Sequence, residues 1–146
     1  PIECVLAAQD AYGSGEPVQL RFTLRNGADQ NVYFLKWYTP FEAFAGEIFL
    51  VERDGVPVPY QGVLAKRGAP GREDYLALAP EDQATIWIDL STAYDLSKEG
   101  QYRVEFISHL YDFTQDEALI PRNEEAHQPF LLHCNDVEFR IKAPAE

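Results

Sequence analysis

The histidines, the side chains best suited to acid–base, nucleophilic or metal chemistry, are few and all lie in the last third of the chain. There are three histidines, His109, His127 and His133. Nucleophilic catalysis needs a Ser or Cys held by a histidine that a carboxylate orients. No G-x-S-x-G elbow is present, and Cys134 directly follows His133, so in a strand the two would point to opposite faces. His109, Asp112, Glu124, Glu125 and His127 are the one cluster of metal-ligand types. It has no H-E-x-x-H helix, and Asp112 to Glu117 lacks the glycine and ligand spacing of a calcium loop. The carboxylate pairs Glu81-Asp82 and Glu124-Glu125 are adjacent and polar, which suits solvent better than proton transfer. No glycine loop with its lysine is available for phosphate. The expectation is a chain that binds rather than catalyses, with no cofactor and no metal.

The two cysteines, Cys4 and Cys134, have neither a CxxC nor a Cys/His zinc spacing. Two readings stay open. If the first strand runs beside the last, they form a candidate disulfide, which would stabilise by roughly 4–5 kcal/mol in the chain-entropy model. Otherwise they are two buried free thiols.

Two segments read as candidate surfaces. The aromatic run Leu35 to Phe44 carries Trp37, Tyr38, Phe41 and Phe44; these residues either plug one end of a core or face a partner. Lys66-Arg67-Gly68-Ala69-Pro70 is a basic turn on an acidic chain, either an ordinary exposed turn or a docking feature. The binding candidates are therefore Trp37, Tyr38, Phe41, Phe44, Lys66, Arg67 and Pro70.

These segments need a scaffold, and the periodicity predicts an all-β one. Val18, Leu20, Phe22 and Leu24 alternate with polar neighbours from Pro17 to Arg25, a period of two with one wet face. Asn26-Gly27 supplies a turn, and Asn31 to Trp37 reads as the returning strand. Ile2 to Ala8 is an earlier strand, ended by Gly13-Ser14-Gly15. Glu47 to Arg53 and Val56 to Tyr60 flank the hairpin signal Asp54-Gly55, and Pro57 and Pro59 mark the second as an edge strand. Tyr75 to Leu78, Gln83 to Leu90 and Gly100 to Phe106 follow, the last opening with Tyr102, suited to the corner hydrogen bond of sandwiches. His109 to Gln128 looks irregular, and Phe130 to His133 with Asp136 to Lys142 complete the set. Single helical turns fit only Asp95 to Glu99 and Asp116 to Leu119. The pattern predicts an immunoglobulin-like β-sandwich of about 7–9 antiparallel strands. Apolar Phe22 and Val104 stand where such domains usually place their inter-sheet cysteines.

Length and composition fit that prediction. With 146 residues, 46% hydrophobic and 25% charged, the chain reads as one globular domain, residues 1–146. Nine Phe, eight Tyr and two Trp favour strands. The net charge of −12 repels phosphate backbones and anionic lipid, so neither nucleic acid nor membrane is an expected partner. No apolar run approaches the roughly 18 residues of a membrane span. The start at Pro1, in a chain without Met, fits either a cleaved leader (secreted or periplasmic) or a trimmed initiator Met (cytoplasmic).

Several blocks in order resemble a known family. They are Leu35-Lys36-Trp37-Tyr38-Thr39-Pro40-Phe41-Glu42, Asp54-Gly55-x-Pro57-x-Pro59-Tyr60-x-Gly62, Lys66-Arg67-Gly68-Ala69-Pro70, Asp74-Tyr75, and Asp89 through Phe106. Together they resemble the non-catalytic N-terminal domain of bacterial deuterolysin-like, or peptidyl-Lys, metalloendopeptidases, over roughly Ile2 to Ile141. The resemblance implies a propeptide-like β-sandwich lying ahead of a zinc peptidase domain, with no catalytic residue in the sandwich itself. The functional expectation is a monomeric protein-binding module, prodomain-like or inhibitor-like toward a peptidase or another protein. Its rival is a structural assembly domain pairing through an edge such as Val56 to Tyr60.

Overall fold

The computed structural model describes residues 1–122 and 127–144. It contains twelve short strands among those residues: β1 (Ile2–Ala7), β2 (Ala11–Gly13), β3 (Gln19–Asn26), β4 (Val32–Leu35), β5 (Phe49–Arg53), β6 (Val56–Pro57), β7 (Tyr75–Leu78), β8 (Gln83–Asp89), β9 (Gly100–Phe106), β10 (Leu110–Thr114), β11 (Pro129–Phe130) and β12 (Val137–Lys142). They form an all-β sandwich of immunoglobulin type. One sheet has the order β1-β3-β8; the facing sheet has the order β2-β12-β9-β5-β6. All pairings are antiparallel except β2 with β12.

The period-two pattern accounts for the core. In the first sheet Leu6, Phe22 and Ile86 lie abreast, and Leu20, Phe22 and Leu24 are completely buried. In the second, Tyr102, Val104, Phe49, Val51, Phe139 and Ile141 point the other way into the same core. Phe22 meets Phe106 across the sheets at 5.3 Å between ring centroids. Phe22 and Val104, both fully buried, thus fill the middle where a disulfide usually joins such sheets. Tyr102 makes the corner bond: its hydroxyl donates to the Lys98 carbonyl at 2.6 Å. The proline-marked strand β6 is indeed an edge.

The bridge that does exist lies at the rim. Cys4 and Cys134 are disulfide-bonded with 4.8 Å between their Cα atoms, at an isolated parallel bridge between β1 and the approach to β12. Beside it, Asn135 imitates a strand partner. Its Oδ1 accepts from Leu6 N–H at 2.9 Å, and its Nδ2 donates to the Leu6 carbonyl at 2.8 Å. The open edge of β1 is thereby satisfied where a water-exposed ladder would otherwise remain.

A third sheet, of order β11-β10-β4-β7, departs from the sequence reading in two ways. First, β4 is not the hairpin return of β3; it pairs with β7 and β10 instead. Every residue of its Val-Tyr-Phe-Leu run is buried, because Val32 and Phe34 face the main core while Tyr33 and Leu35 face a second cluster with Trp37, Tyr75 and Ile120. Such two-sided burial suits an interior strand, not the outer arm of a hairpin. Asn26 directs the chain there: its fully buried side chain accepts from Ala28 N–H and donates to the carbonyls of Gln30 and Leu78. Second, the stretch expected to be irregular contains β10, while the helical turn expected at Asp116 to Leu119 is present as a 3₁₀ turn, Glu117–Leu119, capped by Asp116. A register shift between Tyr111 and Thr114 breaks the alternation that would have revealed the strand.

Candidate functional site

The two segments singled out in the sequence meet at one corner of the molecule. After β4 the chain passes Lys36 and Trp37, turns through Tyr38 at φ 65°, and enters a 3₁₀ turn, Pro40–Glu42. Thr39 caps that turn: its hydroxyl accepts from Phe41 N–H at 3.1 Å and donates to the Lys36 carbonyl at 2.6 Å. Glu42 then turns back, accepting from Tyr38 N–H at 2.5 Å, while its other carboxylate oxygen pairs with the Arg67 guanidinium. The Glu42 and Arg67 side chains are only 12% and 23% exposed, so solvent screens this pair less than a surface one. Arg67 also lies over the Trp37 ring, 4.7 Å from its centroid. One arginine therefore joins the aromatic run to the basic turn through a carboxylate and an indole face.

Below this junction lies a buried polar cluster. Asp112, 5% exposed, occupies the irregularity in β10 with φ 55°. Its Oδ2 accepts from the Tyr75 hydroxyl at 2.9 Å and lies 2.6 Å from His127 Nδ1; its Oδ1 accepts from Gln128 N–H at 3.0 Å and lies 3.9 Å from Arg122 Nε. Trp37 packs edge-on against the His127 ring at 5.7 Å. Burial lifts the Tyr75 hydroxyl to about pH 12, partly offset by its hydrogen bond from Arg122 N–H and reinforced by the Asp112 carboxylate. Three residues with positive φ that are not glycine (Tyr38, Ala43 and Asp112) belong to this corner, a concentration of strained backbone typical of functional positions.

The expected binding residues divide sharply in this setting. Trp37 and Pro70 are buried. Phe41 packs on Phe22 and Phe34, and Phe44 on Phe49, Tyr60 and Tyr94. Arg67 is spent on Glu42 and Trp37. Tyr38 and Lys66 are exposed, and Lys66 has no hydrogen bond or ion pair. Beside Lys66 stand Val63 and Leu64, 64% and 76% exposed. Two large aliphatic residues within a Gly-rich loop were the signal available for them.

Of the five candidate metal ligands, Asp112 and His127 are bonded to each other, and His109 Nδ1 is buried without a partner. Glu124 and Glu125 lie outside the described residues. Among the described residues no group of three or more His, Cys, Asp or Glu is placed to hold a metal, and no Ser, Thr or Cys hydrogen-bonds a histidine. His133 is exposed while Cys134 is buried, the opposed arrangement expected of strand neighbours. Among the same residues no helix is long and apolar enough to cross a membrane.

The fold and this corner define a β-sandwich whose polar clusters hold loops in place. Comparison with known proteins relates the chain to a segment of secreted proteases. It is 40% identical over 95 residues to an extracellular protease of Aeromonas hydrophila, a match covering 65% of this chain and 27% of that protein. It is 30% identical over 88 residues to a neutral protease 2 homolog of Coccidioides posadasii and 27% identical over 88 residues to one of Uncinocarpus reesii, each match covering 59% of this chain and 25% of the relative. The chain thus spans about a quarter of the length of these relatives, and it has no H-E-x-x-H of its own. No protein-family model matches. Solved structures matched include the CARDB domain of PF1109 from Pyrococcus furiosus. Its solution structure has a TM-score of 0.36 at 12% identity, covering 99% of this chain and 95% of that one. Its crystal structure with di-metal ions has a TM-score of 0.38 at 11% identity, covering 100% and 94%.

Proposed function

We propose that this chain is a non-catalytic protein-binding module, prodomain-like or inhibitor-like toward a metallopeptidase. The observation that carries the reading is the match at 40% identity to a quarter-length segment of an extracellular protease, in a chain with no H-E-x-x-H. The corner supplies a surface suited to the task. Tyr38 and Lys66 are tied together through Glu42 and Arg67, with Val63 and Leu64 alongside, so an aromatic, a cation and two aliphatic side chains stand on a braced backbone. A braced loop loses little conformational entropy on binding. The disulfide fits an oxidising compartment, where secreted peptidases act.

The test is to titrate the purified chain into the Aeromonas hydrophila extracellular protease while following casein hydrolysis. Saturable inhibition with a constant near 1 µM, about −8 kcal/mol, is expected. Tyr38→Ala and Lys66→Ala should each weaken it by roughly tenfold. Unchanged hydrolysis, together with no binding by calorimetry, would overturn the reading.

A further inference from the structure

Residues 58–74 form the long connection between the second and third sheets. From Val63 to Pro70 the backbone makes no turn, bend or strand, and every residue of it except Arg67 and Pro70 is exposed. Two tethers hold the approach: Gln61 N–H donates to the Ala93 carbonyl at 2.7 Å, and the Tyr60 hydroxyl donates to the Val63 carbonyl at 2.5 Å. Ala65 N–H then donates to the Ala45 carbonyl at 2.8 Å. On the far side Arg67 is fixed by Glu42 and Trp37, and Pro70 is buried. Between these anchors Val63, Leu64 and Lys66 project into solvent, followed by exposed Gly68 and Ala69. Endopeptidases bind substrates as extended strands, using main-chain bonds for affinity and alternate side-chain pockets for choice.

We infer that this segment is a processing site, entering the cleft of a basic-residue-directed endopeptidase with Lys66 in its acidic pocket and the Lys66–Arg67 bond cut. Water adds across that amide: hydroxide joins the Lys66 carbonyl carbon, the C–N bond breaks, and a proton goes to the Arg67 nitrogen. The cut follows Lys66 rather than Arg67 because the Arg67 side chain is occupied. The rest of the fold protects most of the alternative bonds. Of the twelve Lys and Arg residues, Arg21, Arg25, Arg53, Arg103, Arg140 and Lys142 lie within strands, where cleavage requires unfolding. The Lys98 carbonyl is held in the corner bond of Tyr102.

The product would be a two-chain protein. Residues 1–66 supply β1 to β6 and residues 67–146 supply β7 to β12, and each of the three sheets contains strands from both parts. The Cys4–Cys134 bridge also spans the cut, joining the fragments covalently.

Brief digestion of the folded protein with trypsin, followed by intact-mass and gel analysis, tests this. A single early product one water heavier is expected, unbroken without reductant and split into residues 1–66 and 67–146 with it. Lys66→Ala should slow the first cut by roughly a hundredfold, since the acidic pocket loses its charge partner. Lys66→Arg should keep cutting by trypsin and end cutting by a lysine-specific endopeptidase. Unaltered melting of both variants will show that folding is intact. A first cut elsewhere, after Lys98 or Arg122 for example, an unchanged rate in Lys66→Ala, or separation of fragments without reductant would overturn the inference. It stands apart from metallopeptidase binding: trypsin reads the loop whether or not the protease titration shows inhibition.

Discussion

Two regions join residues distant in sequence, and they do so by opposite means. At the rim of β1, a covalent bond and a side chain acting as backbone link the beginning of the chain to its end. At the Trp37 corner, the link is an ion pair on an indole face, above a carboxylate that holds a tyrosine and a histidine. The first needs no unusual backbone; the second carries three residues at positive φ. The contrast shows where this sandwich can tolerate strain. A frame closed by a disulfide and hydrogen-bonded sheets can carry a corner whose strained conformation serves the loops it presents.

The largest effect should come from opening the frame. Cys4→Ser with Cys134→Ser releases a loop with a sequence separation of 130 and should lower stability by about 5 kcal/mol in the chain-entropy model. Urea unfolding with and without reductant measures this directly. If reduction moves the midpoint no further than a surface substitution would, the rim is ornament and the contrast fails. Next in size is Trp37→Ala, which empties a position only 7% exposed and should cost about 3–5 kcal/mol. A loss that large would show that the corner, too, is packed structure.

Alkaline titration probes the tyrosines of both regions together. Burial raises the hydroxyls of Tyr12, Tyr60, Tyr94 and Tyr102 above the usual value of 10.0, and that of Tyr75 to about 12. Below pH 10 these groups are protonated folded or unfolded, so they make no pH-dependent contribution. Above it the unfolded chain sheds protons that the folded chain keeps, and stability falls. The melting temperature should therefore decline between pH 10 and 12, and Tyr75→Phe should flatten part of that decline. A flat profile would mean that burial does not hold these hydroxyls neutral.

Arg67→Ala separates the lock from the packing beneath it. Losing a half-buried ion pair and a cation–π contact should cost about 1–2 kcal/mol. Its clearer sign is kinetic: with the lock gone, residues 63–70 should exchange amide hydrogens faster while β1 and β3 do not change. Equal acceleration in both regions would show that the corner and the frame are one cooperative unit.

The frame was legible in the sequence because its signals are local. Val18 to Leu24 alternates, Asp54-Gly55 turns, Pro57 and Pro59 mark an edge, and Gly100-x-Tyr102 announces a sandwich corner. The corner was legible only as composition. The aromatic run and the basic turn were visible, but not their union, since Arg67 and Glu42 are 25 residues apart. The third sheet escaped for a related reason. β4 was read as a strand, but a run apolar on both faces shows no period to assign its partners, while the irregularity at Asp112 interrupts the period of β10. Asn135 gave no cue either, because an asparagine serving as a strand partner reads as an ordinary loop residue.

The smallest expected change is the most discriminating. Tyr38 sits at φ 65°, a conformation that glycine adopts without strain, and its ring contributes an edge contact with Tyr111 at 5.0 Å between centroids. In Tyr38→Gly the relief of backbone strain, worth about 1 kcal/mol, opposes the loss of a half-exposed aromatic contact of similar size. Unfolding free energy should stay within about 0.5 kcal/mol of the parent, as for most surface substitutions. Inhibition of the Aeromonas hydrophila protease should nonetheless weaken by roughly tenfold, because the exposed ring is gone. A variant that melts normally and inhibits normally would move the binding surface away from Tyr38. One that melts early would instead place the ring among the residues holding the corner together, and strained backbone there would then be structural in purpose.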